Sequence, residues 1–213
     1  MQKKKRSKAS SKFAGILLCG LLTIVACQDQ VNAQQMPNAA DSIYRIETHV
    51  EFGPLLSHYT NGRALPSGAS SNVLGYNGMI RVMWHPNHLL AVGILTGYQL
   101  LVTEKYTVPD SGSNGIEQAS LHAVPIMLDE SMQSEHFEAG VALGGYIITT
   151  KLTDVTTSQA SRFELGMIGH ASYHWHLTDN LSIGPEVLLS YMSYRGIVSI
   201  APQLDLRFDP IHY

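Results

Sequence analysis

Apolar and polar side chains alternate along residues 163–194, and this alternation constrains the fold more than any other feature of the chain. Odd positions from Phe163 to Leu177 are mostly apolar, whereas even positions carry carboxylates, imidazoles and hydroxyls. The alternation resumes after residues 178–180 and continues to Tyr191. A period of two on both sides of a short turn predicts a β-hairpin with arms of about ten to twelve residues. One face of this hairpin is apolar, and the other carries ionisable groups.

Other segments of the chain repeat the alternation, which predicts eight strands of roughly nine to fourteen residues each. The predicted strands lie near residues 44–52, 73–84, 89–102, 120–128, 137–149, 163–177, 181–191 and 197–208. Compact polar turns are predicted at residues 85–88, 129–136 and 178–180, and long loops at 58–72, 104–118 and 150–161. Alternating short and long connections are typical of outer-membrane barrels, which have short periplasmic turns and longer outer loops. The pattern therefore predicts an all-β, eight-stranded, antiparallel, up-and-down transmembrane β-barrel.

Aromatic residues on the apolar face give an independent indication. One group lies beside the predicted periplasmic turns and contains Tyr44, Trp84, Tyr173 and Trp175. A second group lies toward the opposite strand ends and contains Tyr76, Tyr98 and Tyr191. Two rings of amphipathic aromatics are expected where side chains meet the two membrane interfaces. If the apolar face instead pointed inward, the chain would be a soluble lipid-binding barrel of the lipocalin type.

Four prolines fall inside the predicted strands: Pro54, Pro125, Pro185 and Pro202. A proline donates no hydrogen bond to a sheet, and a closed barrel offers no free edge to accept one. We therefore expect these prolines at bulges or near strand ends.

Residues 1–33 have the layout of a secretory signal peptide: a basic leader, an apolar run from Phe13 to Cys27 and a small-residue cleavage site at Ala33. Cleavage before Cys27 at a lipobox is the alternative. Residues 34–42 form a polar lead-in, and residues 43–213 form the predicted barrel domain. Under either cleavage no cysteine pair is left, so no disulfide framework is expected.

Removal of residues 1–33 leaves 8 basic and 16 acidic residues, a net charge of −8. A nucleic-acid partner would require a basic face, so this class of partner is excluded. The chain also lacks a second apolar run long enough for a membrane helix. If it crosses a membrane it must do so as a closed barrel, because only helices and closed barrels satisfy all backbone groups in hydrocarbon.

The chain resembles the small outer-membrane β-barrel family of Bacteroidota and, more broadly, OmpX and the OmpA membrane domain. The segments that carry the resemblance are residues 84–87, 90–93, 97–98, 138–140, 144–146, 181–186 and 201–203. Their order along the chain is more specific than any one of them. The resemblance implies an outer-membrane location and recognition by the barrel-assembly machinery, although Tyr213 only partly matches the usual C-terminal aromatic signal. It implies no particular activity.

The predicted inward face carries many ionisable side chains. They are Arg45, Glu47, His49, Glu51, Arg81, Glu138, Glu164, His170, His174, His176, Glu186, Asp205 and Arg207. An eight-stranded barrel has room inside only for side chains. We therefore expect these groups to form a packed salt-bridge and hydrogen-bond network, because buried charges need partners. A narrow cation-selective channel is the alternative.

Two groups of residues are candidate chemical sites. His174 and His176 share a face, and with Glu164 or Glu186 they have the residue types of a zinc site. His170, Ser172 and Glu186 have the residue types of a hydrolase triad and are similar in this respect to outer-membrane lipid A deacylases. However, all three have lumen parity, and no oxyanion-hole motif is visible. The sequence therefore predicts a non-enzymatic protein with no catalytic, cofactor or metal site.

The predicted function is structural or interactive, in contact with outer-membrane lipid. The loops at residues 104–118 and 150–161 carry Ser, Thr, Gly and Asn and are candidate contacts for an extracellular ligand. A channel and an outer-membrane lipid hydrolase are the alternatives.

Overall fold

The computed structural model describes residues 45–60, 70–86, 89–107, 116–134, 136–153 and 157–212. The predicted signal peptide, the lead-in, Tyr44 and Tyr213 lie outside these ranges. The described residues form ten strands: β1 Arg45–Tyr59, β2 Ser70–Asn72, β3 Leu74–His85, β4 Leu90–Thr107, β5 Ile116–Gln133, β6 Phe137–Thr153, β7 Thr157–Tyr173, β8 Trp175–Thr178, β9 Leu181–Met192 and β10 Ile197–His212. Among the described residues, no helix is long and apolar enough to cross a membrane.

The strands form one closed antiparallel barrel. The hydrogen-bonded order is β10-β1-β3-β4-β5-β6-β7-β9, and β9 pairs back onto β10 to close the ring. The two shortest strands extend longer ones, because β2 pairs with β4 beyond the start of β3, and β8 pairs with β9 beyond the end of β7. With these two counted as extensions, the wall has eight strands around its circumference, which confirms the predicted all-β, eight-stranded, up-and-down barrel.

The predicted faces of the strands are also confirmed. Inward positions such as His49, Arg81 and Asp205 are completely buried. Outward positions such as Ile94, Leu128 and Phe163 are 57%, 69% and 63% exposed. An alternating strand in a closed barrel must place one set of side chains inside, and here the polar set is inside. This arrangement contradicts the soluble lipid-binding alternative, in which the apolar set would line the interior.

The strands are longer than predicted, and three predicted connections were wrong in extent. Residues 129–133 belong to β5, so the expected polar turn at 129–136 shrinks to its last few residues. Both ends of the expected loops at 104–118 and 150–161 are strand, since β4 reaches Thr107, β5 begins at Ile116, β6 reaches Thr153 and β7 begins at Thr157; residues 108–115 and 154–156 lie outside the described residues. Polar composition favours a loop in all three segments, but at residues 129–133 the period of two continues and indicates a strand.

The four prolines lie within strands, not at bulges or strand ends as predicted. The β1–β10 ladder pairs Phe52 with Leu204 and Leu56 with Ile200 but has no pair between them. The register of these flanking pairs places Pro54 opposite Pro202. Two residues without a backbone N–H therefore face each other where the ladder lacks hydrogen bonds. The register on either side is unchanged, so the strands are not bulged there.

The other two prolines occupy similar gaps. Pro125 lies opposite Gly97 in the β4–β5 ladder, between the pairs Thr96–Ile126 and Gln99–Ala123. Pro185 lies opposite Tyr173, where β7 stops and β8 takes over the pairing with β9. A closed barrel therefore accommodates its prolines by omitting hydrogen bonds locally while keeping the register.

The lumen is divided into two halves. The half near the β3–β4, β5–β6 and β8–β9 turns contains most of the buried charged side chains. The other half contains a cluster of buried apolar side chains: Leu55, Met79, Leu95, Leu101, Val102, Leu121, Ala123, Met127, Ala142, Tyr146, Ile148, Ile168, Leu188, Met192, Ile197 and Ala201. The prediction of a polar filled lumen is therefore correct for one half only.

Candidate functional site: the charged half of the lumen

Arg81 on β3 is the centre of the charged half and is completely buried. Its Nε lies 3.0 Å from Glu51 Oε1, and its Nη1 donates a hydrogen bond of 2.9 Å to Glu138 Oε1. Three further carboxylates, with oxygens 3.5 to 3.7 Å from its Nη atoms, are Asp129, Glu186 and Asp205. One guanidinium group therefore faces five carboxylates from five different strands.

Negative charge exceeds positive charge in this half of the barrel. Seven buried carboxylates belong to Glu47, Glu51, Asp129, Glu138, Glu186, Asp205 and Asp209. The buried arginines that face them are Arg81 and Arg207, with the partly buried Arg45 at the rim. Buried charge is costly unless it is compensated, so this half requires protons on the histidines or on some of the carboxylates, or a bound cation.

Glu47 organises the rim of the charged half. Its Oε2 lies 2.9 Å from His85 Nε2, and its Oε1 pairs with Arg45 and lies 3.5 Å from Arg207 Nη2. Arg45 also donates a hydrogen bond of 2.6 Å to Gln133. These contacts join the beginning of β1 to the ends of β3, β5 and β10.

His49 and His174 share one carboxylate oxygen. Asp205 Oδ2 lies 2.9 Å from His49 Nδ1 and 2.8 Å from His174 Nε2. The two imidazole rings meet edge to face with centroids 6.0 Å apart. His174 reaches this position because its backbone N–H donates to His136 O, 2.8 Å away, past the end of the β6–β7 ladder. Asp205 thereby fixes the orientation of both rings.

The predicted hydrolase constellation is only half assembled. His170 Nδ1 lies 3.3 Å from Glu186 Oε1, so the imidazole and the acid do meet. The other nitrogen, Nε2, lies 3.1 Å from Asp129 Oδ1, which is where a triad would place the serine. The Ser172 hydroxyl is buried and has no hydrogen-bond partner. His170 therefore bridges two carboxylates and does not activate Ser172.

The predicted His174–His176 pair is also separated. His174 is buried in the lumen, whereas His176 is exposed and its Nδ1 lies 2.8 Å from Ser182 Oγ. The His176 ring lies against His136, with centroids 5.8 Å apart. Neither Glu164 nor Glu186 joins these two histidines: Glu164 pairs with Arg162 and Arg195, and Glu186 contacts Arg81 and His170. The imidazole that does meet His174 comes from β1.

Asp129, His85 and Asp209 belong to the network but were missed by sequence reasoning, and Asp129 is the one that contacts Arg81. It lay in the stretch predicted to be a turn, and its strand places it 1% exposed beside Arg81 and His170. The alternation of Asp129, Ser131 and Gln133 on one face was the available signal. The charged Glu130 between them on the outward face obscured it.

No family model matches this chain, and no curated protein matches it. Solved outer-membrane barrels are similar in architecture. The attachment invasion locus protein Ail of Yersinia pestis is 14% identical, covering 78% of this chain and 99% of that chain with a TM-score of 0.45. Neisserial surface protein A is 8% identical, covering 76% and 96% with a TM-score of 0.48. The N-terminal β-barrel domain of Pseudomonas aeruginosa OprF is 10% identical, covering 78% and 99% with a TM-score of 0.38. At these identities and TM-scores the similarity concerns the architecture alone.

Proposed function

We propose that this chain is an outer-membrane protein with a structural or surface-interaction role and no enzymatic activity. The observation that carries the proposal is an apolar outer wall with a belt of aromatic side chains at each end. At the turn end, Trp84, Tyr173 and Trp175 are 43% to 54% exposed, and at the opposite end Tyr76, Tyr98 and Tyr191 are 37% to 54% exposed. Trp and Tyr at two levels of an apolar wall fit the two membrane interfaces.

The spacing of the two belts fits a bilayer. Tyr76 and Trp84 are separated along β3 by about 27 Å at roughly 3.4 Å per residue. A strand tilt of about 40° reduces this separation to about 20 Å along the barrel axis. The apolar band of outer-membrane barrels is about 25 Å tall. The wall between the belts is therefore close to the height that a membrane requires.

A closed lumen favours this role over the channel alternative. The buried apolar cluster fills the half of the barrel opposite the charged network, and its members Leu55, Leu101, Leu188 and Met192 are completely buried. An ion leaving the charged half would have to exchange its charged partners for a layer of large apolar side chains with a few neutral hydroxyl groups, such as those of Ser57, Ser190 and Ser199, which do not compensate its charge. We therefore expect no steady ion conduction.

The long strands support a surface-interaction role. A membrane-spanning strand needs about nine to eleven residues, whereas β4 and β5 each have 18 and β6 and β7 each have 17. The excess forms a sheet extension in which β2, β4, β5, β6 and β7 pair in order. Its outer surface turns polar beyond Tyr98, with exposed Lys105, Gln118 and Lys151. We propose that this extension, rather than flexible loops, presents the surface to extracellular partners.

Lysine labelling in intact cells tests the location and the orientation together. Beyond residue 33 the sequence contains only two lysines, Lys105 and Lys151, and both lie in the extension. A membrane-impermeant amine reagent should label the wild type, and a K105R/K151R variant should lose the label. The same protein should fractionate with outer membranes and migrate differently on gels when heated. Recovery in a soluble fraction, labelling only after lysis, or discrete conductance steps in planar bilayers would contradict the proposal.

A further inference from the structure

We propose that the charged half of the lumen contains a binding site for a divalent transition metal, with His49, His174 and Glu138 as its ligands. One ligand atom from each of these residues lies within 4.8 Å of the other two, and all three side chains are buried. They come from β1, the β7–β8 junction and β6. A bound ion would therefore join β1 to the neighbouring strands β6 and β7, from which β9 and β10 separate it in the wall.

The hydrogen bonds to Asp205 leave one lone pair free on each imidazole. A carboxylate can only accept, so His174 Nε2 donates to Asp205 Oδ2. His49 Nδ1 lies 2.9 Å from the same oxygen and 3.2 Å from Arg81 Nη2, and we take the shorter contact, in which Nδ1 donates to Asp205, as the hydrogen bond. In a neutral imidazole the other nitrogen then holds a lone pair, which is the form that binds metal. Those nitrogens, His49 Nε2 and His174 Nδ1, are buried and have no hydrogen-bond partner. Glu47 Oε2 lies 3.5 Å from His49 Nε2, but that oxygen is also 2.9 Å from His85 Nε2.

The third ligand is unpartnered in the same way. Glu138 Oε1 accepts a hydrogen bond from Arg81, whereas Glu138 Oε2 has no hydrogen-bond partner and lies 3.9 Å from His49 Nε2. That separation is too long for a hydrogen bond. Two ligands on one zinc ion, with bonds of about 2.0 to 2.1 Å, lie roughly 3.3 Å apart in tetrahedral geometry. A small contraction would bring the pair to this separation.

Asp205 has the role of an orienting carboxylate. Metal-binding histidines usually donate their second ring N–H to a carboxylate or carbonyl, which fixes both the tautomer and the ring position. Here one oxygen of Asp205 does this for two histidines at once. A second group, His49, Glu51 and Asp205, is also compact. We favour the first group because both oxygens of Glu51 are engaged, Oε1 by Arg81 and Oε2 by Gln203 Nε2, and because Asp205 is occupied by the two imidazoles.

The charge of this half of the lumen favours a cation. Seven buried carboxylates face two buried arginines, so a divalent ion reduces the imbalance without reversing it. Two imidazoles and one carboxylate suit zinc and its neighbours in the first transition row, whereas magnesium and calcium prefer all-oxygen sites. Three protein ligands also leave a position for water.

Metal binding by the full-length protein in detergent, purified without a polyhistidine tag and stripped with chelator, tests the inference. Equilibrium dialysis against zinc chloride should give one zinc per folded chain. H174A and E138Q should weaken binding at least tenfold, and D205N about 10- to 100-fold. H176A is the matched control, because it removes an exposed histidine two residues away, and it should bind as the wild type does.

Several outcomes would overturn the inference. They are a folded wild type that binds no zinc, H174A and E138Q variants that bind as tightly as the wild type, and loss of binding in H176A instead. Heat-modifiable migration shows which variants fold. If the ligand variants fail to fold, X-ray absorption of zinc on the wild type decides, since the site requires two imidazole nitrogens and at least one carboxylate oxygen in the coordination shell.

Discussion

Replacement of Arg81 by methionine should be among the most destabilising single changes in the charged half of the lumen. The change keeps much of the volume of the side chain but removes the guanidinium group that contacts Glu51 at 3.0 Å and Glu138 at 2.9 Å. Removal of one partner from a buried ion pair costs about 3 to 5 kcal/mol, because the remaining charge is left uncompensated. Since Arg81 contacts five carboxylates, we expect a loss of at least this size in the free energy of unfolding.

Urea unfolding of the refolded barrel in phospholipid vesicles measures this loss. Trp84 and Trp175 lie on the outer wall, 47% and 54% exposed, so their fluorescence should change as they leave the lipid. R162M is the matched control, because Arg162 also pairs with a glutamate but its side chain is 38% exposed. Glu164 is buried but keeps Arg195, whose Nε lies 3.4 Å from its Oε1, and an ion pair with an exposed partner is worth about 0 to 1 kcal/mol, so this control should change little.

A double-mutant cycle separates the charge effect from packing. If R81M acts through uncompensated carboxylates, adding E138Q should remove one of them, and the double variant should be more stable than the two single losses predict. A coupling of about 0.5 to 3 kcal/mol is expected for residues in contact. An R81M loss below about 1 kcal/mol, or strict additivity with E138Q, would refute the view that Arg81 compensates the network.

Two further predictions concern the wall. L128R places a cation on an outward position that is 69% exposed and should cost about 2 to 4 kcal/mol if it lies near the bilayer midplane, whereas Q118R in the sheet extension should cost almost nothing in the same urea titration. A cost for L128R no larger than that for Q118R would contradict a lipid-facing wall. G166A should destabilise by about 1 to 3 kcal/mol, because its Cβ would lie 2.5 Å from Tyr146 Cε2 and from Tyr191 O; G169A, with nothing within 4 Å, should be neutral. Equal unfolding midpoints for these two variants would show that Tyr146 and the neighbouring backbone move to accommodate the added methyl group at Gly166, which would contradict the prediction.

The face of each strand could be predicted from the sequence because it depends only on local geometry. Successive side chains of a strand point to opposite sides, so His49, Arg81 and Asp205 could be placed inside without knowledge of their neighbours. The same rule would have placed Asp129 inside, had the polar composition of its segment not suggested a turn. The limits of β4 to β7 were missed for the same reason.

Contacts across the lumen could not be predicted in this way. Whether His174 meets His176 or His49 depends on the tilt and stagger of the whole barrel, which the alternation does not encode. The parity of His176 was correct, but its position near the end of β8 leaves it exposed at the rim. The division of the lumen into charged and apolar halves likewise depends on the position of each side chain along the barrel axis. That position follows from the register of all eight strands together.

Arg81 bears on how this register is maintained. In a bilayer the outer wall contributes little side-chain cohesion between strands, because lipid tails are as apolar as the residues they contact. Specific contacts must therefore come from backbone pairing and from the lumen. From β3, Arg81 reaches groups on six other strands; they are Glu51, Asp129, Glu138, His170, Glu186 and Asp205.

These contacts make an error in register costly for almost every strand of the barrel. A slip of one residue turns a strand's inward side chains outward. In β1, β5, β6, β9 or β10 it would move a carboxylate from Arg81 into the wall, and in β3 it would move Arg81 itself. An ionised group within hydrocarbon costs several kcal/mol, and the partners it leaves behind would be uncompensated. The charged half of the lumen therefore penalises incorrect pairings in a fold whose outer face cannot discriminate between them.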